Sequence, residues 1–95
     1  GCTTYSSDGR VLVEDTDMST YPDVSVVCGA PQVAFGAITN PRVLVEVLSP
    51  SSELDDRGWK WRHYQRIPSL QAYVLVNPRT RTVEVYARGE GAWVY

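Results

Sequence analysis

Two stretches of the chain are apolar at nearly every position and therefore lack a polar face. One comprises residues 43–48 (Val-Leu-Val-Glu-Val-Leu), and the other comprises residues 73–76 (Tyr-Val-Leu-Val). Strands of this kind are typical of the centre of a sheet that is covered on both faces. The pattern therefore predicts an α/β (α+β) fold in which a mixed sheet is flanked by a helix.

Shorter apolar or alternating runs predict the remaining strands. These runs are residues 10–14, 24–28, 81–86 and 92–95. Residues 1–9 are polar and residues 15–20 are acidic, so both are expected to form turns and loops. The stretch 29–40, which contains glycine and proline, predicts a loop with a short strand or turn.

One helix is predicted at about residues 53–67, between the two central strands. Ser51 or Ser52 provides its N-cap, acidic residues fill its first turn, and Pro68 ends it. The helical period places Leu54 on the side that faces the core.

The same period places Asp56, Lys60 and Tyr64 along one line of the helix, at the edge of its apolar side. Because Lys60 lies at this edge, its ammonium group can reach the sheet while its stem covers apolar surface. A Lys60→Ala substitution is expected to reduce activity and to change stability little.

A single helix cannot cover both faces of the predicted sheet. An apolar sheet face of this size is not expected to remain in water. The sequence therefore predicts a homodimer or larger assembly, with an interface of about 1,600 Å² or more.

Length and composition indicate one domain, residues 1–95. Because its first residue is Gly and not Met, the sequence is expected to begin inside a longer protein or after a removed tag. No apolar run approaches the length of about 20 residues that spans a bilayer. Cys2 and Cys28 show neither a metal-site spacing nor a disulfide framework, and Cys28 is expected to be a buried thiol. A reducing, cytoplasmic location follows from this interpretation.

Glu46 is the residue that an ordinary buried strand would not carry. A buried carboxylate is costly unless it is paired, protonated or bound to a metal. Asp23 stands at the start of the run 24–28, on a strand expected to neighbour that of Glu46, and Lys60 follows on the helix. Two carboxylates suit Mg²⁺ or Mn²⁺, and a nearby ammonium group can stabilise charge on a phosphate. The residues therefore predict a metal-dependent phosphodiesterase.

Each of these three residues also has a purely structural interpretation. Asp23 can simply begin a strand, and Lys60 can be an ordinary surface residue of a helix. Glu46 can form a buried ion pair with Arg42 or Arg57.

Three further residues are candidates for supporting roles. Ser49 can bond to the site or help to cap the helix, and Asp56 can be the helical salt-bridge partner of Lys60. Tyr64 is expected in the core rather than in the chemistry.

The chain resembles the Uma-type restriction endonuclease family, a domain of unknown function within the PD-(D/E)XK nuclease superfamily. The resemblance rests on residues 21–29 (Tyr-Pro-Asp-Val-Ser-Val-Val-Cys-Gly), 40–52, 56–58 (Asp-Arg-Gly), Lys60, Tyr64, 66–70 and 73–76. It implies a restriction-endonuclease-like mixed sheet, a divalent metal held by Asp23 and Glu46, and an active-site lysine moved to the helix. Leu48 stands where the superfamily pattern has lysine, and the N-terminal helix of the family is missing.

The resemblance implies a nuclease that cleaves phosphodiester bonds of nucleic acid, with DNA favoured over RNA. The net charge is −2, but residues 57–95 carry seven basic and two acidic residues. This second half predicts a basic face with Arg57, Arg62 and Arg66 as nucleic-acid contacts. The alternative is a non-catalytic nuclease-fold module that binds or assembles as an oligomer.

Overall fold

The computed structural model describes residues 1–89 and the backbone of Trp93–Val94. Its elements are β1 Cys2–Tyr5, β2 Val11–Val13, β3 Met18–Thr20, β4 Val24–Cys28, β5 Val33–Ala34, β6 Ala37–Ile38, β7 Val43–Val47, α1 Glu53–Arg57, α2 Trp59–Tyr64, β8 Ala72–Asn77, β9 Thr82–Arg88 and β10 Trp93–Val94. The predicted last strand, residues 92–95, corresponds to β10, and its two end residues lie outside the described part.

Six strands form a mixed sheet, here called the main sheet, in the order β1-β4-β7-β8-β9-β10. Its neighbouring strands are antiparallel except for the parallel pair β7–β8. A parallel pair needs a crossover of about a dozen residues or more, and the segment between β7 and β8 provides it and contains both helices. The predicted mixed α+β fold, with helical cover on its sheet, is confirmed.

Four short strands form a second sheet, here called the small sheet, in the order β3-β2-β6-β5. It packs with the helices against one face of the main sheet. Leu44, Tyr73 and Leu75 of the main sheet are at most 1% exposed, and Tyr64 of α2 and Val11 of β2 belong to the same buried cluster. The core therefore lies between the main sheet and a layer made of the two helices and the small sheet.

The opposite face of the main sheet carries nine valines, here called the valine face. They are Val24, Val26, Val43, Val45, Val47, Val74, Val76, Val83 and Val85. Directly opposite residues of paired strands share a face, and the register joins Val24, Val45, Val74 and Val85 in one row. Val83 is 61% exposed and Val85 is 45% exposed. The described residues therefore cover the main sheet on one face only.

The prediction of one continuous helix is wrong, because Gly58 separates α1 from α2. Its backbone angles, φ −102° and ψ −109°, lie outside the helical region. A Cβ atom on Gly58 would lie 2.7 Å from the Leu54 carbonyl oxygen. The break also changes which side of α1 meets the core, since Leu54 is 87% exposed and Asp56 is 2% exposed. The expected core position of Leu54 is therefore wrong as well.

Two segments that were expected to form turns and loops each contain a strand. β1 pairs with β4 over four residues, and β3 pairs with β2 over three residues. The β1 sequence, Cys-Thr-Thr-Tyr, is largely exposed, so it has no hydrophobic alternation that could identify it. Pairing with a neighbouring strand, rather than local pattern, decides its conformation.

Two features of the structure bear on the predicted cytoplasmic location. Cys2 lies directly opposite Cys28 across β1 and β4, and the two form a disulfide. The expectation of a free buried thiol is wrong, because the strand pairing that brings the two cysteines together is not visible in their spacing. Because the two cysteines are joined, they give no ground for a reducing, cytoplasmic location. Within the described residues, no helix has the length and apolar character needed to cross a bilayer.

Candidate metal and catalytic site

Asp23 and Glu46 lie side by side at the adjoining ends of β4 and β7. The antiparallel register pairs Val24 with Val45, so the next position along each strand brings Asp23 opposite Glu46. The Asp23 amide donates to Glu46 Oε1 at 3.2 Å, and the Val47 amide donates to Asp23 Oδ2 at 2.7 Å. Each carboxylate is thus held by the backbone of the neighbouring strand.

The Glu46 side chain is buried and surrounded by donors. It is 3% exposed, and its Oε2 accepts a hydrogen bond from the Tyr64 hydroxyl at 3.1 Å and lies 3.5 Å from Lys60 Nζ. Burial raises the Glu46 pKa above its usual value, while the Lys60 charge and the Asp23 amide lower it without cancelling the effect of burial. A carboxyl group in this state holds its proton more tightly than one in water.

Lys60 lies between two buried carboxylates. Its Nζ is 3.1 Å from Asp56 Oδ1 and 3.5 Å from Glu46 Oε2, and Asp56 is 2% exposed. Burial lowers the Lys60 pKa, but the charges of Glu46 and Asp56 raise it by more, so the net shift is upward. The ammonium group is therefore kept charged beside Glu46. Asp56 is thus the i−4 salt-bridge partner of Lys60, as the helical spacing predicts, and it is buried.

Tyr64 connects Glu46 to Thr20 in the small sheet. The Tyr64 hydroxyl lies 2.8 Å from Thr20 Oγ1 and donates to Glu46 Oε2, and all three residues are buried. Burial and the Glu46 charge raise the Tyr64 pKa, which keeps the hydroxyl protonated as a donor. Thr20 is not among the residues predicted from the sequence. Its only signal is its position three residues before Asp23.

Ser49 belongs to the start of α1 and does not contact the carboxylates. Its carbonyl accepts hydrogen bonds from the amides of Ser52 and Glu53 at 3.1 and 3.0 Å, and its hydroxyl lies 2.9 Å from that of Ser52. These bonds lie within the turn that precedes α1, and among the described residues no side chain makes a capping hydrogen bond to the N-terminus of this helix. Leu48, on the same face as Glu46, is 2% exposed within the core and supplies neither charge nor a polar hydrogen.

The donor atoms at the site suit a hard divalent cation. Mg²⁺ takes oxygen ligands and usually binds proteins through one or two carboxylates, completing its shell with water or substrate phosphates. Asp23 and Glu46 provide two adjacent carboxylates that meet this need. In the described part of the chain, no group of three or more His, Cys, Asp or Glu side chains is placed to hold a metal. The fit is therefore to a site with two protein ligands.

The Arg57 guanidinium forms ion pairs with two acidic side chains at the surface of the helical layer. Its guanidinium lies 2.9 Å from Glu53 and 2.6 Å from Glu84 on β9. These contacts join α1 to the main sheet, and they do not leave Arg57 facing a ligand. The structural alternative of a Glu46–Arg57 or Glu46–Arg42 pair is wrong, because the cation beside Glu46 is Lys60.

Arg62 and Arg66 lie on the outer side of the helical segment, where both are exposed. With Thr16 and His63 they line an open cavity of about 270 Å³. Arg66 also forms an exposed ion pair with Asp15 at 2.5 Å, and such a pair contributes little free energy. The predicted basic contacts thus differ: Arg62 and Arg66 are exposed, whereas Arg57 is partly exposed and paired with Glu53 and Glu84.

Two proteins of Synechocystis sp. are similar to nearly the whole chain. "Uncharacterized protein slr1290" is 39% identical over 95 residues, which is 98% of this chain and 50% of that protein. "Uncharacterized protein sll1609" is 34% identical over 94 residues, which is 95% of this chain and 53% of that protein. The chain therefore spans about half the length of these relatives.

A solved structure shares the fold. The crystal structure of "a putative nuclease belonging to DUF820" from Anabaena variabilis superimposes with a TM-score of 0.62 at 21% identity, over 92% of this chain and 55% of that one. At this identity the likeness establishes the architecture, which is that of a restriction-endonuclease-like protein.

The family follows from a match over the full length of the sequence. The profile of the Uma2 family, described as "Putative restriction endonuclease", matches residues 1–95. Together with the two relatives, which are both more than 30% identical, the match shows that this chain belongs to the Uma2 family.

Proposed function

We propose that the chain carries the metal-binding and catalytic residues of a divalent-metal-dependent nuclease. The observation that carries the proposal is that Asp23, just before β4, and Lys60 of α2 both contact Glu46 of β7. A carboxylate that is 3% exposed, with a second carboxylate and a cation beside it, is costly for a fold to maintain without a use. Family membership supports the same reaction class.

Asp23 and Glu46 are the residues that would hold Mg²⁺ or Mn²⁺. When bound, such an ion lowers the pKa of a water molecule and offsets negative charge on a phosphate. The Asp23 and Val47 amides fix the orientation of the two carboxylates. Binding of the ion would therefore cost little further side-chain conformational entropy.

Lys60 would provide a fixed positive charge for the phosphate that is cleaved. Its ammonium group is already placed, because Asp56 and Glu46 hold it at 3.1 and 3.5 Å. A preorganised charge in a partly buried site stabilises a transition state more than a mobile charge in water does. Asp56 is thus a positioning residue for Lys60 in this proposal.

The proposed substrate is nucleic acid, with DNA favoured over RNA because the family is described as one of restriction endonucleases. Arg62 and Arg66 are the exposed cations of the helical segment, and they are proposed as contacts to the phosphate backbone. Arg57 is omitted, since its guanidinium is held by two carboxylates.

The first test is cleavage of supercoiled plasmid DNA and of a labelled RNA in Mg²⁺ and in Mn²⁺, with EDTA as the metal-free control. Asp23→Asn and Glu46→Gln should each lower the cleavage rate at least about 100-fold, since even outer-shell changes at metal sites cost about 10–100-fold. Asp55→Asn, which alters an exposed acid on α1, should leave the rate unchanged. Cleavage that persists in EDTA, or in the Asp23→Asn protein, contradicts the proposal.

A second candidate is a non-catalytic oligomeric module, and the valine face favours it. Three of its residues, Val47, Val83 and Val85, are between 45% and 61% exposed, and burying such a face would stabilise an assembly. Sedimentation of the purified chain at micromolar concentration tests this candidate. Oligomers that cleave neither DNA nor RNA in either metal would support it, whereas a folded monomer that cleaves would exclude it.

A further inference from the structure

We propose that Thr20 is a positioning residue for Glu46 and acts through the Tyr64 hydroxyl. The inference rests on the proposed function, because it concerns the orientation of a carboxylate that would hold the metal. Thr20 does not contact Glu46 itself. It contacts Tyr64 at 2.8 Å, and Tyr64 contacts Glu46 at 3.1 Å.

The number of available protons sets the direction of these two hydrogen bonds. A tyrosine hydroxyl has one hydrogen to donate, and Tyr64 donates it to Glu46 Oε2. The contact between Thr20 and Tyr64 is then satisfied only if Thr20 Oγ1 donates to the Tyr64 oxygen. Thr20 therefore fixes the donor orientation of Tyr64 toward Glu46. Hydrogen bonds that follow one another in this way strengthen each other.

The place of Thr20 in the chain gives the contact a second consequence. Thr20 is the last residue of β3 in the small sheet, and Asp23 follows three residues later, just before β4. The bond to Tyr64 ties the start of this short connection to α2. The helix that carries Lys60 and the segment that carries Asp23 are thus linked through the same hydroxyl group that holds Glu46.

A purely structural role of the Tyr64 hydroxyl would require only one of its two hydrogen-bond partners. A buried tyrosine hydroxyl requires one partner, and Glu46 alone would supply it. Thr20 adds a second buried polar group, 8% exposed, whose hydroxyl is directed at the site and not at the backbone of its own sheet. The arrangement is that of an outer-shell group that orients a ligand.

The test compares Thr20→Val, which removes the hydroxyl and keeps the shape, with Thr20→Ser, which keeps the hydroxyl. Thr39→Val is the matched control, since the Thr39 hydroxyl donates to the Gln32 carbonyl away from the site. Mn²⁺ affinity is measured by calorimetry. Thr20→Val should weaken it by about three- to tenfold, the effect of one lost hydrogen bond, and Thr20→Ser should restore it. Unchanged affinity in Thr20→Val, or equal losses in the valine and serine variants, would overturn the proposal.

A second readout does not depend on metal or activity. Unfolding midpoints in EDTA are measured for Thr20→Val, Glu46→Gln and the double variant. With Tyr64 present, the losses of stability caused by Thr20→Val and by Glu46→Gln should not sum to the loss in the double variant. In a Tyr64→Phe protein the two losses should sum, because the hydroxyl that couples the two residues is gone. If the wild-type protein binds no Mn²⁺, the proposed function fails, and this cycle alone decides the role of Thr20. If the two losses of stability sum both with and without the Tyr64 hydroxyl, the proposed role of Thr20 is overturned.

Discussion

The Glu46 carboxylate is held in its buried position by three groups from two parts of the chain, the segment before β4 and helix α2. The Asp23 amide donates from the start of β4, the Tyr64 hydroxyl donates from α2, and Lys60 supplies the charge. The apolar run around Glu46 made it a candidate from sequence, because an unpaired buried carboxylate is costly. Thr20 could not be predicted in the same way, since a hydroxyl residue beside an acidic stretch has many ordinary roles.

The burial of Asp56 changes the expectation for Lys60, which from sequence could be removed with little loss of stability. Lys60→Met leaves Asp56 and Glu46, 2% and 3% exposed, without their cation. Removing one partner of a buried pair is strongly destabilising; since Lys60 itself is partly exposed, we expect a loss of about 2 kcal/mol in unfolding free energy. Cleavage should fall sharply as well.

Adding Asp56→Asn to Lys60→Met separates the two effects. The double variant should regain part of the unfolding free energy, because one unpaired charge is gone, but it should not regain cleavage. Arg62→Met, which removes an exposed cation from the same helix, should change the unfolding free energy by less than about 0.5 kcal/mol. Denaturant unfolding and plasmid cleavage are the measurements. Cleavage that returns together with stability would mean that Lys60 has only a structural role.

At the scale of elements, the strands with continuous apolar sequence were predictable and the polar ones were not. The central strands β7 and β8 carry their own signal, and so does the helix start after Ser52. β1 has no such signal, since it forms by pairing at the edge of the main sheet. The helix break was missed because a glycine inside a helical pattern usually lowers stability without ending the helix.

The account of Gly58 can be tested with Gly58→Ala. In a continuous helix this change would stabilise by about 1 kcal/mol through helix propensity. In this structure the new Cβ would lie 2.7 Å from the Leu54 carbonyl oxygen, a backbone atom that cannot simply move away. We expect the clash to prevail and the unfolding free energy to fall by about 1–3 kcal/mol, as for other overpacked positions.

The control for this substitution is Gly1→Ala, whose Cβ would meet no atom within 4 Å. It should be neutral in the same denaturant unfolding experiment. Increased stability of the Gly58→Ala protein would show that α1 and α2 form one helix.

At the scale of the whole molecule, the site lies where the main sheet, the helical segment and the small sheet meet. The main sheet places Asp23 and Glu46, the helical segment delivers Lys60 and Tyr64, and the small sheet adds Thr20. Sequence alternation could predict that Asp23 and Glu46 lie close together, because neighbouring strands impose a register. It could not place the small sheet, whose strands are two or three residues long and whose position depends on packing across the core.

The central claim is that Asp23 and Glu46 bind a divalent ion beside Lys60, and one measurement tests it directly. Lys60 is the only lysine of the chain, so protein labelled with ¹³C-lysine gives a single set of lysine side-chain NMR signals. Mn²⁺ at substoichiometric amounts should selectively broaden the Lys60 ε-methylene signal in the wild-type protein and leave it sharp in Asp23→Asn. A Lys60 signal that Mn²⁺ does not affect, in wild-type protein that is folded, would contradict the account.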